Sequence, residues 1–208
     1  MMLNVSKIVS QLSRRRIALA ILTLAVFLIY SHTMHGPFIL DDMRMIEDNE
    51  AIRNLGNYLS PGQLLKRRVL VDLTFAINYR LGETNVFGYH LFNVAIHLLS
   101  GIIVYFLAIA LYQVLALTGK QLPMSWKKKH PGKKGEDVVS ILALFTALLF
   151  ITHPIQTQAV TYIVQRYASL AALLYLASVL LYLKARSLQR EKPVAETCGV
   201  LYFILAAI

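Results

Sequence analysis

An uncharged apolar stretch from Tyr89 to Leu117 constrains the fold more than any other feature of the sequence. It runs for 29 residues and contains one glycine. A helix needs about 20 predominantly apolar residues to cross the hydrocarbon core of a bilayer. The stretch therefore predicts a helix that spans a membrane.

Four further apolar stretches predict an all-α, polytopic bundle of membrane helices. The first follows Arg14, Arg15 and Arg16 and lacks a small-residue cleavage site, so we interpret it as an uncleaved helix rather than a signal peptide. Counted along the chain, the third and fourth stretches are shorter than a full span, so each needs neighbouring polar residues to complete a crossing. The last stretch is still apolar where the sequence stops, which predicts a truncated membrane domain over residues 1–208. The five predicted helices cover about 14–35, 89–117, 138–153, 166–184 and 197–208.

Composition agrees with a bilayer environment. Apolar residues make up 57% of the chain and charged residues 15%, against about 25% charged in an ordinary soluble domain. A net charge of +10 would suit a nucleic-acid partner if the basic residues shared one exposed face. They lie instead at the ends of apolar stretches, so we expect membrane lipid and no nucleic acid as a partner. Cys198 is the only cysteine, which excludes an intramolecular disulfide.

The basic residues also predict an orientation, because short loops rich in Lys and Arg stay on the cytoplasmic side. The N-terminus, the loop 118–137 and the segment after the fourth helix together hold 14 of the 21 basic residues. Seven of the eleven acidic residues lie between them, in the segment 36–88. We therefore expect 36–88 to form a large external loop and 118–137 a basic cytoplasmic loop. For the lysines of that loop we prefer a solvated connector to lipid-specific recognition as the explanation.

The paired carboxylates Asp41 and Asp42 follow the first predicted helix closely enough to meet a lipid headgroup. Such a pair can act as a base, hold a divalent cation or orient an acceptor. The simpler alternative is that the pair caps the next helix, since Asp accepts free backbone N–H groups there. Further along, the amphipathic run 67–79 predicts a helix that lies along the interface, with Arg67 and Arg68 facing water or phosphate.

Polar residues on the second membrane helix share one face. His90, Asn93 and His97 stand at i, i+3 and i+7. Polar side chains at this depth face a cavity or another helix, where they form interhelical hydrogen bonds. Two histidines on one face also suit a haem or a metal, although the sequence contains no ligand-spacing motif such as HExxH.

The segment from His153 to Arg166 predicts a short helix that starts at Pro154. Its polar positions Gln158, Thr161 and Gln165 recur at helical spacing. Arg166 then comes at the expected boundary of the membrane. There it either extends its guanidinium to water or grips a phosphate with its fork of donors.

Taken in chain order, these segments resemble the N-terminal membrane region of the transmembrane-and-tetratricopeptide-repeat proteins, a family within the GT-C superfamily of glycosyltransferases. The resemblance covers residues 36 to 186. The residues that carry it are Phe38 to Asp42 with Ile46 and Asn49, Arg68 with Asn78 and Tyr79, Gly88 to His90 with Asn93 and His97, and His153 to Ile155 with Thr157, Ala159, Val160, Ile163, Arg166 and Leu170. The chain departs from the family pattern at Val69, where a proline is usual, and at Gln158, where a glutamate is usual.

The resemblance implies that a sugar carried on a polyprenyl phosphate is transferred to a protein or glycan hydroxyl at the external side of the membrane. It implies catalytic roles for Asp41 and Asp42, with a divalent cation held there if one is used. Phosphate-binding roles follow for Arg68, His90, His153 and Arg166, and supporting polar roles for Asn78, Asn93 and His97.

Two other functions stay open from the residues alone. A non-catalytic scaffold would use the same helices only for packing, and a haem protein would use the histidines as axial ligands. We expect an integral membrane protein, in a bacterial inner membrane by preference and in the endoplasmic reticulum as the alternative.

The orientation leads to a direct test. A cysteine introduced at Asn57 lies in the predicted external loop and should react with a membrane-impermeant thiol reagent on intact cells or right-side-out vesicles. If it reacts only after the membrane is ruptured, the orientation is reversed.

Overall fold

Seven α-helices make up most of the chain in the computed structural model, which describes residues 5–59, 62, 68–117 and 135–191. The all-α prediction is confirmed, and the described residues contain no strand. The predicted helix 197–208 and the lysines of the basic loop lie outside the described residues. The helices are α1 (Val5–Tyr30), α2 (Gly56–Leu59), α3 (Val69–Gly82), α4 (Val86–Leu117), α5 (Gly135–Thr152), α6 (Gln156–Thr161) and α7 (Arg166–Glu191).

Three stretches within these described ranges are long and apolar enough to cross a bilayer. They are Leu12–His35, Val86–Leu115 and Ile163–Ser187, and a shorter apolar helix covers Asp137–Thr152. The chain is therefore an integral, multi-pass membrane protein. Whether the shorter helix also crosses, as the sequence predicts, stays a prediction.

Local chemistry explains where α3 and α4 begin and end. Arg68, directly before α3, adopts a left-handed conformation with φ 68°, and Glu83, directly after it, has φ 51°. The N–H of Glu83 donates to the carbonyl of Tyr79 at 2.7 Å, which closes the end of α3. The side chain of Asn85 then accepts the N–H of Phe87 at 3.0 Å and caps the start of α4.

The described residues divide into two compact units. The first unit comprises 5–25, 100–117, 135–151 and 174–191. Small residues line its core, among them Ala18, Ala143 and Ala147. Tyr105 on α4 and Ser140 on α5 share a hydrogen bond of 3.1 Å between their hydroxyl groups.

The second unit comprises 26–59, 62, 68–99 and 152–173 and contains every predicted site residue. Seven buried side chains form its core: Ile46, Ile52, Val71, Phe75, Ala76, Tyr89 and Ile163. Helix α3 turns one face into this unit and exposes Leu70, Ile77 and Leu81 on the other. A helix that is apolar on a second, exposed face suits the predicted position along a membrane interface.

A glycine permits close packing of α4 and α5 within the first unit. A Cβ added at Gly101 would overlap Cγ2 of Ile151. Small residues at such points let the backbones of membrane helices approach each other. The absence of a side chain at Gly101 is therefore a packing requirement.

Gly101→Ala should lower the unfolding temperature measured in detergent, because overpacking costs about 1–3 kcal/mol. Alanine favours a helix by about 1 kcal/mol over glycine, so a net loss of stability reports the clash. In an Ile151→Ala background the same glycine substitution should cost less, since the clashing methyl group is absent. An unchanged or higher unfolding temperature for Gly101→Ala alone would show that the two helices are not in close contact here.

Candidate active site

The second unit is organised around the side chain of Arg166, the first residue of α7. Its relative exposure is 0%. The guanidinium donates four hydrogen bonds: from Nε to Asn93 Oδ1 at 2.7 Å, from one terminal nitrogen to Asn78 Oδ1 at 2.7 Å and Thr74 Oγ1 at 3.1 Å, and from the other to the carbonyl of Tyr89 at 2.9 Å. Every one of these acceptors is a neutral oxygen.

Aromatic rings surround the same guanidinium. Its central carbon lies 4.4 Å from the ring centroid of Phe75, 4.7 Å from that of Phe92 and 5.9 Å from that of Tyr89. The negative faces of such rings attract a cation, and the attraction is larger where water is excluded. Four neutral oxygens and three rings thus stabilise a buried positive charge. We call this arrangement the Arg166 cage.

The sequence predicts that the guanidinium of Arg166 reaches water or grips a phosphate, and the structure buries it within the fold. Its position at the boundary of the membrane stays a prediction. Three side chains accept hydrogen bonds from the guanidinium of Arg166. Asn78 and Asn93 were predicted as supporting polar residues, and Thr74 was not predicted. A guanidinium with four of its five donors engaged is suited to fixing helices in place rather than to meeting a ligand.

Asn93 extends the cage to the segment between α6 and α7. Its Oδ1 accepts from Arg166, and its Nδ2 lies 3.2 to 3.4 Å from the carbonyl oxygens of Val160, Tyr162 and Ile163. These carbonyls belong to the end of α6 and the bend that follows it; that of Tyr162 also accepts the N–H of Gln165, and that of Ile163 the N–H of Arg166. The amide of Asn93 therefore links the bend to the guanidinium.

Asp42 is buried, with a relative exposure of 1%. Its Oδ1 accepts the N–H of Val164 at 2.8 Å and its Oδ2 that of Ile39 at 3.3 Å. The carboxylate thereby joins residues 39–42 to the segment before α7, and it makes no capping bond to the helical turn that follows it. Burial raises the pKa of the Asp42 carboxyl, although the N–H donors and the charge of His90 act in the opposite direction.

Asp41 has the opposite orientation, since its side chain is exposed. Its backbone N–H donates to the hydroxyl of Tyr162 at 3.2 Å. The preceding residue, Leu40, is 79% exposed and has φ 48°, a conformation that side chains other than glycine rarely adopt. Asp41 and Asp42 begin the helical turn that follows, where successive side chains point about 100° apart, so the two aspartates face different surroundings.

The two histidines predicted to bind phosphate have different surroundings. His90 is 2% exposed, its Nε2–H donates to the carbonyl of Gly36 at 3.0 Å, and its Nδ1 is buried without a partner. His153 is exposed, and its Nδ1 accepts the N–H of Ile155 at 3.2 Å. In the neutral ring the proton of His153 then resides on Nε2, where it can be donated to a ligand.

Arg68 is exposed, and its guanidinium lies 5.4 Å from the ring centroid of Tyr167. The hydroxyl of Tyr167 donates to Asp72. Arg67, which precedes Arg68, lies outside the described residues. An exposed guanidinium stacked on an aromatic ring keeps its donors available for a phosphate.

His97 packs edge-on against Tyr30, with ring centroids 5.2 Å apart. His90 and His97 are therefore both buried on one face of α4, and each has a different neighbour. The described ranges contain no group of three or more His, Cys, Asp and Glu placed to hold a metal ion. Asp42 already accepts an N–H on each oxygen, so a cation bound here would depend on Asp41 and water.

Sequence reasoning missed Tyr162, whose hydroxyl contacts the backbone of Asp41. A tyrosine near a membrane boundary is common and carries no special signal. The only available hint was its position, directly after a helix that begins at a proline and before the arginine of α7.

Comparison with known proteins finds relatives over most of the chain. The chain is 32% identical to the human protein O-mannosyl-transferase TMTC4 over 84% of its own length and 24% of the relative's. It is 30% identical to the protein O-mannosyl-transferase Tmtc3 of Drosophila melanogaster, over 75% of this chain and 18% of that one. It is 27% identical to the protein O-mannosyl-transferase F38B6.6 of Caenorhabditis elegans, over 76% and 22%.

These relatives confirm the resemblance to the transmembrane-and-tetratricopeptide-repeat proteins. The chain spans about a fifth of the length of the curated relatives it matches. No family model matches the sequence. No solved structure matches it either.

Arg166→Met should unfold well below the parental protein, because it leaves four buried oxygens without their donor at roughly 1–3 kcal/mol each. Arg166→Lys should lie between the two, since an ammonium cannot reach all four acceptors from one point. Thermal unfolding in detergent measures the effect, and Arg186→Met, an exposed arginine on the same helix, is the matched control.

A direct phosphate contact by Arg166 predicts a different outcome. The variants would then be as stable as Arg186→Met and would lose only donor binding. Equal unfolding temperatures for Arg166→Met and Arg186→Met would contradict the structural role of the cage.

Proposed function

We propose that the chain is the N-terminal membrane part of a glycosyltransferase that transfers mannose from a polyprenyl-phosphate donor to a protein hydroxyl on the non-cytoplasmic side of the membrane. The observation that carries the proposal is the division of the acidic pair into one exposed carboxylate, Asp41, and one buried carboxylate, Asp42. A general base must reach its substrate, and a positioning group must hold it still.

Asp41 is the general base in this proposal. Its carboxylate takes the proton of the acceptor hydroxyl as that oxygen forms a bond to the anomeric carbon of the sugar. The bond from the anomeric carbon to the phosphate oxygen breaks, and its electron pair leaves with the polyprenyl phosphate. Asp41 then releases its proton to water.

Asp42 positions the base. Its two bonds to backbone N–H groups hold the strained turn at Leu40 against the segment before α7. The substitution Asp42→Asn would keep one acceptor oxygen and replace the other by an NH2 donor, so one of the two bonds to backbone N–H groups would be lost.

The donor phosphate needs groups that can reach it. Arg68 and His153 are exposed and retain N–H donors, so we assign the phosphate contacts to them. His90 and Arg166 are buried, so we assign them to positioning, of the turn at Gly36 and of the helix ends respectively.

The acceptor and the sugar follow the names of the relatives, which are protein O-mannosyl-transferases. A lipid-linked donor suits a site on a membrane protein, because the tail stays in lipid while the headgroup meets the protein at the boundary. The non-cytoplasmic side of a bacterial inner membrane or of the endoplasmic reticulum would supply such a boundary.

Asp41→Asn in the full-length protein should reduce the transfer rate by about 10²–10⁴-fold, the usual contribution of a general base. Its unfolding temperature should stay near the parental value, because no residue that the structure describes donates a hydrogen bond to the exposed carboxylate. The rate of mannose transfer from a polyprenyl-phosphate donor in membranes measures this. Asp48→Asn, an exposed aspartate of the same segment, is the control and should transfer at the parental rate.

A helix-capping role for Asp41 predicts almost unchanged activity, since Asn caps a helix about as well as Asp. A well-expressed Asp41→Asn protein that transfers mannose at the parental rate would show that Asp41 is not the general base.

A further inference from the structure

We propose that the hydroxyl of Tyr162 donates a hydrogen bond to the phosphate of the sugar donor, beside the carboxylate of Asp41. This inference rests on the proposed transferase function and adds a residue that the sequence did not indicate. It assigns to Tyr162 the stabilisation of the charge that appears on the departing phosphate.

The hydrogen-bond partners of Tyr162 leave its hydroxyl hydrogen available. The oxygen accepts the backbone N–H of Asp41 at 3.2 Å. A phenol can accept and donate at the same time. No acceptor for its own hydrogen lies among the residues that the structure describes, and the ring is only half-buried.

Three other described tyrosines differ in this respect. The hydroxyl of Tyr89 donates to the carbonyl of Glu83 at 3.0 Å, that of Tyr167 donates to Asp72, and that of Tyr105 is bonded to Ser140 at 3.1 Å. Each of these three hydroxyl groups is hydrogen-bonded to another residue of the chain. The hydroxyl of Tyr162 instead contacts the backbone N–H of Asp41, the residue whose carboxylate the proposed transfer requires.

The backbone of Tyr162 is held on both sides. Its N–H donates to the carbonyl of Gln158 at 3.1 Å, and its own carbonyl accepts from Gln165 at 3.1 Å and from Asn93 at 3.3 Å. Its φ of −88° and ψ of 113° break the helical path between α6 and the 3-10 turn Ile163–Gln165. This break turns the ring out of the helix line and towards residue 41.

Because Asn93 is itself bonded to Arg166, the cage fixes the bend that carries Tyr162. A donor that is held in place before the reaction needs no reorganisation when charge develops. Donors of this kind contribute about 10²–10³-fold to the rate of acyl transfer, and we expect a similar order here.

The proposed pair divides the chemistry of one transfer. Asp41 receives the proton of the acceptor, and Tyr162 keeps its own proton but shares it with the phosphate oxygen that receives the electron pair. A phosphate that leaves gains negative charge, and hydrogen bonds to a charged acceptor are about twice as strong as neutral ones. The bond should therefore matter more for the product than for the bound donor.

The test compares Tyr162→Phe with Tyr175→Phe in the full-length protein in membranes. Tyr175 is 69% exposed on α7, so the control makes the same chemical change away from the site. Three quantities are measured with polyprenyl-phosphate mannose as donor: kcat, the KM of the donor, and the inhibition constant of polyprenyl phosphate, the product.

For Tyr162→Phe we expect kcat to fall by about 10²-fold and the affinity for polyprenyl phosphate by about tenfold, while the KM of the donor changes by less than about threefold. Tyr175→Phe should leave all three constants unchanged.

Two results would overturn the inference. One is a Tyr162→Phe protein with the same kcat and product affinity as Tyr175→Phe. The other is a parallel loss of donor and product affinity together with a lower unfolding temperature, which would make Tyr162 a structural support for Asp41. If Asp41→Asn abolishes transfer in the same assay, the proposed function stands in either case, and if Asp41→Asn is fully active, that function fails first.

Discussion

Burying a guanidinium is expensive unless its donors are satisfied, and the second unit is built around meeting that requirement for Arg166. The acceptors come from α3 and α4: Thr74 and Asn78 from one, Asn93 and the carbonyl of Tyr89 from the other. No described carboxylate is bonded to it, although the charge of Asp42 attracts it through space. The cation therefore specifies how three helix segments meet, because only one arrangement offers four oxygens and three rings together.

The consequences of this burial reach the exposed surface through a short series of hydrogen bonds. Arg166 bonds to Asn93, Asn93 bonds to the carbonyls of the bend at 160–163, and the ring of Tyr162 leaves that bend to meet the backbone of Asp41. Asp42 adds a parallel connection from the same turn to Val164. Buried residues are thus connected through hydrogen bonds to the backbone of Asp41, whose carboxylate is exposed.

Much of the fold followed from the sequence, because long uncharged stretches have few alternatives to membrane helices. The spacing of His90, Asn93 and His97 correctly placed all three on one buried face of α4. The burial of Arg166 could not be read in the same way. Its acceptors lie 73 to 92 residues away along the chain, and a lone arginine after a short helix looks the same whether it faces water or the core.

Tyr162 was out of reach for a different reason. Its importance depends on one backbone conformation at the end of α6, and neither hydrophobic period nor residue type encodes that conformation. The positive φ angles of Leu40 and Arg68 could not be predicted for the same reason. Residues other than glycine adopt a positive φ only where tertiary contacts require it.

The two adjacent aspartates have different surroundings. Two carboxylates that faced the same space would repel each other, and one of them would hold its proton more tightly. Asp41 and Asp42 lie in one helical turn, where successive side chains point about 100° apart. The buried one accepts two N–H groups, and the exposed one stays in contact with solvent. Burial raises the pKa of Asp42, so ionising it opposes folding, and its contribution to stability falls as the pH rises through and above the ordinary range of a carboxyl. The fold tolerates that cost at one residue, and in the proposed mechanism it thereby holds the neighbouring carboxylate at the surface, with a phenol beside it.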